Sequence, residues 1–176
     1  MVLAAGLGTR LRPVTETLPK PLIEINGRAL LDHAIDRLAI AGVEYVVVNV
    51  HYKAAMMRAH FAGREHPRIV LSEQDELLDT GGGVAQGLPF LGEVFFVVNG
   101  DVVWLDNGEP ALSRLADAFD PVDTDAVLLL QRTLTAVGYA GDGDYSRYRR
   151  NSAPPSRGEP APNLFAGIQL LRSLQQ

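Results

Sequence analysis

Short apolar runs alternate with amphipathic segments of helical length along most of this chain, and this alternation is the feature that most restricts its fold. Several of the runs are rich in β-branched residues, which is typical of strands buried on both faces of a sheet. Strands that alternate with helices in this way form a mostly parallel sheet, so the pattern predicts an α/β protein. The runs are residues 1–5, 45–50, 68–71, 94–98, 126–130 and 164–171.

Three helices are predicted between these strands. The first has an apolar face from Leu31 to Leu38, the second carries the i, i+4 pair Met57 and Phe61, and the third covers residues 109–119. Apolar residues at this spacing form one face of a helix, which packs against the sheet. The predicted fold is therefore a three-layer α/β/α arrangement around a mostly parallel central sheet.

Composition excludes several classes of function. The 176 residues include no cysteine, which excludes disulfides, thiolate nucleophiles, iron–sulfur clusters and cysteine-bound zinc. A formal net charge of −5 argues against a protein that wraps a nucleic acid, because such binding needs a basic face. No apolar run approaches the roughly 18 residues that a membrane-spanning helix requires. We expect a cytoplasmic protein with neither a nucleic acid nor a membrane as its partner.

One domain is expected over residues 1–176, since this length is ordinary for a single domain. Residues 138–163 differ in composition from the rest, with several glycines followed by several prolines among scattered charges. Long stretches without periodicity are uncommon inside compact domains, and they are usually functional lids or disordered. We predict a flexible loop over these residues.

The loop after the first strand holds the strongest candidate binding site. Gly6 and Gly8 let the backbone turn tightly, so that successive N–H groups point at phosphate oxygens. Arg10 and Arg12 supply guanidinium groups suited to phosphate, and Lys20 stands between two prolines that favour an extended backbone. A plain strand-to-helix turn and a solvated lysine are the alternatives. Together, these residues favour a triphosphate or pyrophosphate site.

A second candidate site follows the strand over residues 94–98. Asn99 and Asp101 come directly after it, and ligands of open α/β sheets bind beyond the carboxyl ends of the strands. A carboxylate at that edge suits Mg²⁺, which prefers carboxylate, phosphate and water oxygens. An Asx turn that merely closes the strand is the alternative. Asp106 ranks below Asp101 because its surroundings are typical of a simple turn.

These motifs resemble the signature of the sugar-1-phosphate nucleotidyltransferases. The match covers residues 3–15, with the pattern L-x-x-G-x-G-T-R-L-x-P-x-T, and residues 19–21, P-K-P. Residues 79–84 resemble the base-recognition loop of the family, and residues 99–102 resemble its metal-binding turn. The triple glycine and the Asn-Gly-Asp-Val sequence are most similar to the bacterial branch that uridylylates N-acetylmuramate 1-phosphate.

The resemblance implies a Rossmann-like fold and a reaction in which a sugar 1-phosphate attacks a nucleoside triphosphate, UTP being favoured, and pyrophosphate leaves. It also implies Mg²⁺, held by Asp101, with Arg10 on the leaving pyrophosphate and Lys20 bridging phosphates as the other catalytic residues. No covalent nucleophile is required, because in-line attack mainly needs positioning and charge stabilisation. The implied nucleotide-binding residues are Ala4, Ala5, Gly6, Gly8, Thr9, Arg10, Lys20, Gly81, Gly82 and Asn99.

The sugar phosphate is expected to contact the segment 138–163. The candidates are Gly138, Gly143, Glu159 and Asn163. Thr80, by contrast, is predicted to be the N-cap of the helix that follows it.

Two departures from the family pattern affect these expectations. The family takes a second metal-binding aspartate from a later region that this sequence does not contain, which predicts either a domain without its C-terminal part or a reduced metal site. Pro160 follows Glu159 where other branches carry a lysine, which again favours the N-acetylmuramate branch and a role in recycling cell-wall precursors. The alternatives are guanylyl transfer to mannose or heptose 1-phosphate, and a non-catalytic regulatory domain that binds nucleotide sugars.

Overall fold

The structure is a computed structural model that describes residues 1–148, 151–153 and 159–173. Its strands are β1 (Val2–Leu3), β2 (Glu24–Ile25), β3 (Arg28–Ala29), β4 (Tyr45–Val50), β5 (Arg68–Glu73), β6 (Val94–Asn99), β7 (Ala126–Arg132), β8 (Ser146–Tyr148), β9 (Asn151–Ala153) and β10 (Asn163–Arg172). Its helices are α1 (Val14–Thr17), α2 (Leu30–Ile40), α3 (Ala54–Phe61), α4 (Thr80–Gly87) and α5 (Ala111–Ala118). Short 3-10 turns cover Thr9–Leu11, Lys20–Leu22, Leu88–Phe90 and Thr133–Thr135.

Six strands form the central sheet in the order β5-β4-β1-β6-β10-β7. The pairs β1–β4, β1–β6 and β4–β5 are parallel, whereas β10 runs antiparallel to both of its neighbours. All strands of the sheet except β10 therefore run in one direction, which confirms the predicted mostly parallel sheet. Two small antiparallel hairpins, β2–β3 and β8–β9, lie apart from it.

The hydrophobic core has two parts because alternate residues of the central strands point to opposite faces of the sheet. On one face Val46, Val48 and Val98 pack with residues of α2, α3 and α5, including the fully buried Leu31 and Ile35. On the other face Val47, Phe95 and Val97 pack with Met1 and with Val84 of α4. Each fully buried aliphatic side chain stabilises the fold by about 1.5–3 kcal/mol. Helices thus cover both faces, which confirms the three-layer arrangement.

The segment 138–163 contains regular structure. Strands β8 and β9 pair antiparallel within it, and β10 begins at its last residue. Residues 149, 150 and 154–158 lie outside the described residues, and the mobility of the segment stays a prediction.

The parallel strands bring their carboxyl ends to one edge of the sheet, where the loops that follow β1, β4, β5 and β6 meet. This is the edge at which open α/β sheets bind ligands. Among the described residues, no helix has both the length and the apolar character needed to cross a bilayer.

Candidate active site

The glycine loop after β1 packs directly on two residues that come later in the chain. Gly8 has φ +64°, in the left-handed region that favours glycine. A Cβ added at Gly8 would lie 2.9 Å from Cγ2 of Thr15 and 3.1 Å from Cβ of Lys20. The Thr15 hydroxyl donates a hydrogen bond of 2.9 Å to the Gly8 carbonyl. A Cβ added at Gly6, by contrast, would meet no atom within 4 Å, so this face of the loop is open to a ligand.

Tyr52 anchors the same loop from the end of β4. Its hydroxyl donates a hydrogen bond of 2.9 Å to the carbonyl of Thr15, whose side chain is buried. Thr15 therefore links the glycine loop to the edge of the sheet through two hydrogen bonds. Sequence reasoning missed Tyr52, because a lone tyrosine after a strand carries no pattern that indicates this contact.

Lys20 reaches the edge of the sheet from the 3-10 turn Lys20–Leu22. Pro19 is extended, with φ −65° and ψ 141°, but the prediction of an extended backbone at Lys20 is wrong. Burial of Pro21 and Leu22 holds the turn, which the Leu22 N–H closes by donating to the Pro19 carbonyl at 2.9 Å. The ammonium of Lys20 forms an ion pair with the carboxylate of Asp101.

Asp101 lies in a turn that is tied to β1. The Val102 N–H donates to the Asn99 carbonyl at 3.2 Å, and the Gly100 N–H donates to the Leu3 carbonyl at 2.9 Å. Two of the predicted catalytic residues, Lys20 and Asp101, are thus in direct contact at the predicted edge. The third, Arg10, lies with Thr9 in the exposed 3-10 turn that follows Gly8.

Asp106 is engaged elsewhere. One carboxylate oxygen accepts the Ala111 N–H at the start of α5 at 2.8 Å, and the other accepts from the Arg37 guanidinium at 2.9 Å. These contacts give Asp106 a structural role, which agrees with its lower rank beside Asp101.

Buried polar side chains lie beneath the same edge. Asn49, Ser72 and Gln74, at the ends of β4 and β5, are 4%, 3% and 6% exposed. The side-chain oxygen of Asn49 accepts the Ala4 N–H at 2.6 Å, so the backbone amide of Ala4 is already engaged. Nε2 of Gln74 is buried and has no hydrogen-bond partner among the described residues.

Gly83 allows these amides to approach helix α4. A Cβ added at Gly83 would lie 2.7 Å from Nδ2 of Asn49 and 3.1 Å from Nε2 of Gln74. Sequence reasoning missed Asn49, Gln74 and the close approach at Gly83. The available signal was a polar residue that interrupts or closes an otherwise apolar strand.

Helix α4 begins differently from the prediction. Thr80 is its first residue, and the N-cap is Asp79, whose carboxylate accepts the Gly82 N–H at 2.7 Å. The prediction that Thr80 caps this helix is therefore wrong. Asp79, the preceding residue, has an extended backbone, and its carboxylate reaches the free Gly82 amide. Gly81 and Gly82 both lie in the first turn, and the Gly82 amide is engaged by the cap.

Two of the four predicted sugar-side residues come together at the start of β10. Gly143 has φ +82°, and a Cβ added there would lie 2.1 Å from the Ala161 carbonyl oxygen. The next residue, Asp144, donates its N–H to the Asn163 carbonyl at 2.7 Å and accepts the Phe165 N–H on its carboxylate at 2.8 Å. The Asn163 side chain donates to a backbone carbonyl at 3.2 Å.

Gly138 and Glu159, the other two predicted sugar-side residues, are exposed and lie outside the helices and strands.

A bulge brings β10, which begins at the predicted sugar-side residue Asn163, close to the turn that holds Asp101. The register of the β10–β7 pair shifts between Phe165 and Gln169, and Gly167 within this stretch has φ +76°. A Cβ added at Gly167 would lie 2.9 Å from Nδ2 of Asn99. Bulges of this kind are common next to active sites, where they end pairing or redirect side chains.

The donor set near Asp101 fits Mg²⁺ that is bound together with phosphate. Within residues 1–148, 151–153 and 159–173, no group of three or more His, Asp and Glu side chains is placed to hold a metal. Asp101 supplies a hard oxygen donor that already faces a cationic group, and its side chain is 32% exposed. This leaves room for the water and phosphate oxygens that complete the coordination shell of Mg²⁺ in sites with one carboxylate.

The fold and the charged groups at this edge of the sheet indicate a class of protein that binds phosphates. Comparison with known proteins agrees with that class. The model of the nucleotidyl transferase family matches residues 1–140. The chain belongs to this family.

Among individual relatives, an N-acetylmuramate alpha-1-phosphate uridylyltransferase from Caulobacter vibrioides is 42% identical over 98% of this chain and 74% of its own length. A mannose-1-phosphate guanyltransferase from Aspergillus fumigatus is 39% identical over 58% of this chain and 30% of its own length. The chain therefore spans about three quarters of the first relative and less than a third of the second.

Solved structures share the fold at low sequence identity. A UDP-glucose pyrophosphorylase crystallised with UDP-glucose superposes with a TM-score of 0.78 at 16% identity, over 97% of this chain and 74% of that protein. This superposition confirms the predicted α/β fold, and the family model with the relative from Caulobacter confirms the resemblance to nucleotidyltransferases.

Proposed function

We propose that this chain transfers a uridylyl group from UTP to N-acetylmuramate 1-phosphate and releases pyrophosphate. The observation that carries the proposal is the similarity to the Caulobacter uridylyltransferase, which extends over nearly the whole chain and includes the sugar-side segment as well as the nucleotide side. The contact between Lys20 and Asp101 beside the glycine loop supports it, since it gathers the charges that a phosphate reaction needs.

In the proposed reaction, an oxygen of the sugar phosphate attacks the α-phosphorus of UTP. The new phosphoanhydride bond forms as the bond between the α-phosphorus and the β-bridging oxygen breaks, and pyrophosphate leaves with that electron pair. The backbone of the glycine loop and Arg10 bind the leaving phosphates, and Lys20 stabilises charge at the reacting phosphate. Positioning and electrostatic stabilisation of this kind supply most of the acceleration in phosphate transfer.

Asp101 would hold Mg²⁺ together with phosphate oxygens and water. When bound, the ion would supply positive charge that polarises the phosphate under attack and aligns the triphosphate. The turn from Asn99 to Val102 fixes the backbone position of Asp101, because hydrogen bonds tie it to β1.

Base recognition is assigned to the region between the glycine loop and α4. Gln74 offers a buried amide N–H without an acceptor among the described residues, and an unpaired buried donor is costly unless a ligand satisfies it. Gly81 and Gly82 add no side chains to the first turn of α4, and the base is assigned to the side of Gly81, because the space at Gly82 is already filled by Leu78. Because Nε2 of Gln74 is closed to solvent beneath Gly83, it would donate to a uracil carbonyl oxygen only after a shift of its own side chain or of α4.

The sugar phosphate is assigned to the bulged start of β10 and to the loop that ends at Gly143. The bulge lies beside Asn99, and β10 is on the opposite side of β6 from β1, which leads into the glycine loop. Glu159 and Asn163 remain predicted contacts. We place the reaction in the cytoplasm, where UTP is available, and in the recycling of cell-wall precursors.

A pyrophosphate-release assay over a matrix of substrates tests the proposal. UTP, GTP, CTP and dTTP are each paired with the 1-phosphates of N-acetylmuramate, N-acetylglucosamine, mannose and heptose. We expect kcat/KM for UTP with N-acetylmuramate 1-phosphate to exceed every other pair at least tenfold. A preference for GTP with mannose or heptose 1-phosphate would favour guanylyl transfer, and nucleotide-sugar binding without turnover on any pair would favour a regulatory domain.

Two aspartate variants form a matched control for the catalytic assignment. Asp101→Asn should lower kcat by at least 100-fold, on the order of the loss seen when one electrostatic contact to a transition state is removed. Asp106→Asn keeps an oxygen that can accept the Ala111 N–H at the start of α5, and its kcat should stay within threefold of that of the unaltered chain. Equal activity of the two variants would contradict the role of Asp101.

A further inference from the structure

Lys20 and Asp101 are paired with each other across the edge of the sheet. The ammonium of Lys20 contacts the carboxylate of Asp101 directly, and both side chains are partly exposed, at 27% and 32%. The proposed reaction requires each of them to have a different partner: the triphosphate for Lys20 and the divalent cation for Asp101.

The surroundings of Lys20 permit this exchange. Its backbone is fixed, because Pro19, Pro21 and Leu22 around it are buried and its Cβ lies against Gly8. The four-carbon stem of a lysine is flexible, however, and its ammonium behaves as a point charge without a fixed direction. The ammonium can therefore move from Asp101 toward phosphates bound at Gly8 while the fold stays unchanged.

We propose that this ion pair couples the binding of the nucleotide to the binding of the divalent cation. Each ligand takes one member of the pair and frees the other, so each ligand makes the binding of the second more favourable. The cation alone binds weakly because it must displace an ammonium from the carboxylate that the turn offers it, and the uncomplexed triphosphate binds weakly because Lys20 is held by a carboxylate. The inference rests on the proposed function, from which it takes the two ligands.

Such a coupling is reciprocal by thermodynamic linkage. If the nucleotide raises the affinity for the cation by some factor, the cation raises the affinity for the nucleotide by the same factor, and typical couplings are about 5–150-fold. Removing the ammonium should produce part of this effect without any nucleotide, because Asp101 then has no competing partner. Removing the carboxylate should produce the reciprocal effect for the metal-free nucleotide.

Mn²⁺ alone is the probe for the first arm, since its free concentration is read directly by electron paramagnetic resonance. Lys20→Met should bind Mn²⁺ at least about fivefold more tightly than the unaltered chain in the absence of nucleotide. Lys53→Met, which removes the only other lysine of the sequence, should leave the affinity unchanged. Lys20→Arg keeps the charge and should also leave the affinity for Mn²⁺ unchanged. The double variant Lys20→Met with Asp101→Asn should bind Mn²⁺ no more tightly than the unaltered chain.

Metal-free UTP in excess EDTA is the probe for the second arm, followed by calorimetry. Asp101→Asn should bind it at least about fivefold more tightly than the unaltered chain, and the gain should vanish when Lys20→Met is added. Thermal unfolding of every variant checks that each one is folded, and Lys20→Ala replaces Lys20→Met should the latter not fold.

The outcomes separate the coupling from the proposed function. If Lys20→Met binds Mn²⁺ no more tightly than the unaltered chain while Asp101→Asn loses Mn²⁺ binding, the coupling is wrong and the metal assignment stands. If Asp101→Asn binds Mn²⁺ as well as the unaltered chain, the metal assignment fails and the coupling fails with it.

Discussion

Replacement of Gly8 by alanine is the sharpest test of how the glycine loop is built. At φ +64° an alanine incurs the left-handed penalty of about 1–2 kcal/mol. Its methyl group would also lie 2.9 Å from Cγ2 of Thr15, and overpacking of this kind typically costs about 1–3 kcal/mol. The lower entropy of the unfolded alanine chain offsets about 0.4–1 kcal/mol. We expect a net loss of about 1–5 kcal/mol in the free energy of unfolding.

The same substitution should impair catalysis. The added methyl group would also lie 3.1 Å from Cβ of Lys20, so the loop and the lysine must move apart. A displacement of about 1 Å at a positioning residue costs roughly 100-fold in rate, and we expect a loss in kcat/KM of that order.

Urea unfolding and the pyrophosphate-release assay measure the two effects. Gly6→Ala is the control for stability, because a Cβ there meets nothing within 4 Å and the backbone has no positive φ. Gly92→Ala, which is remote from the edge that holds the site, is the control for activity. The account of the loop would be refuted if Gly8→Ala were as stable as Gly6→Ala to within about 0.5 kcal/mol.

Buried and capping groups elsewhere in the fold give three further predictions. Gln74→Leu should raise KM for UTP about tenfold, because it removes a buried donor that has no partner among the described residues and that the proposal gives to the base; an unchanged KM would exclude it from base recognition. Asp106→Ala should cost about 1–2 kcal/mol in urea unfolding, because Ala111 and Arg37 lose their acceptor, and a loss under about 0.3 kcal/mol would contradict the structural role of Asp106. In a polypeptide that begins at Met1, burial lowers the pKa of its amino group from 8.0 to about 5. Between pH 5 and pH 8 the unfolded chain therefore binds a proton that the folded chain does not. Stability is full above pH 8 and falls by about 4 kcal/mol as the pH drops to 5. The same pH dependence in an N-terminally acetylated chain would refute this.

Much of the fold could be predicted from periodicity alone. The strand predicted over residues 45–50 is β4 to the residue, and the predicted face from Leu31 to Leu38 is the buried face of α2. These predictions succeed because a buried strand or helix face must be apolar at nearly every inward position. The β2–β3 hairpin and the short helix α1 were missed, since elements of two to four residues are too short to show a period.

Two predictions from local rules failed, for different physical reasons. A lysine before a proline is disfavoured in helical turns, yet Lys20 begins a 3-10 turn because the two residues after it are buried in the core. Thr80 follows a better cap, and Asp79 takes that role. At Lys20 burial of the following residues in the fold selects the turn, whereas at Thr80 a local hydrogen bond between Gly82 and Asp79 selects the cap.

The sequence by itself determined the α/β class, the family and the identity of the charged residues at the site, because these depend on residue type and on spacing along the chain. Only the tertiary structure decided which side chains touch. The ion pair of Lys20 with Asp101, the buried amides of Asn49 and Gln74 beneath Gly83, and the approach of β10 to Asn99 each join segments far apart in the chain. Such contacts arise because parallel strands deliver their carboxyl ends to a single edge, and no local pattern records which of the loops there will meet.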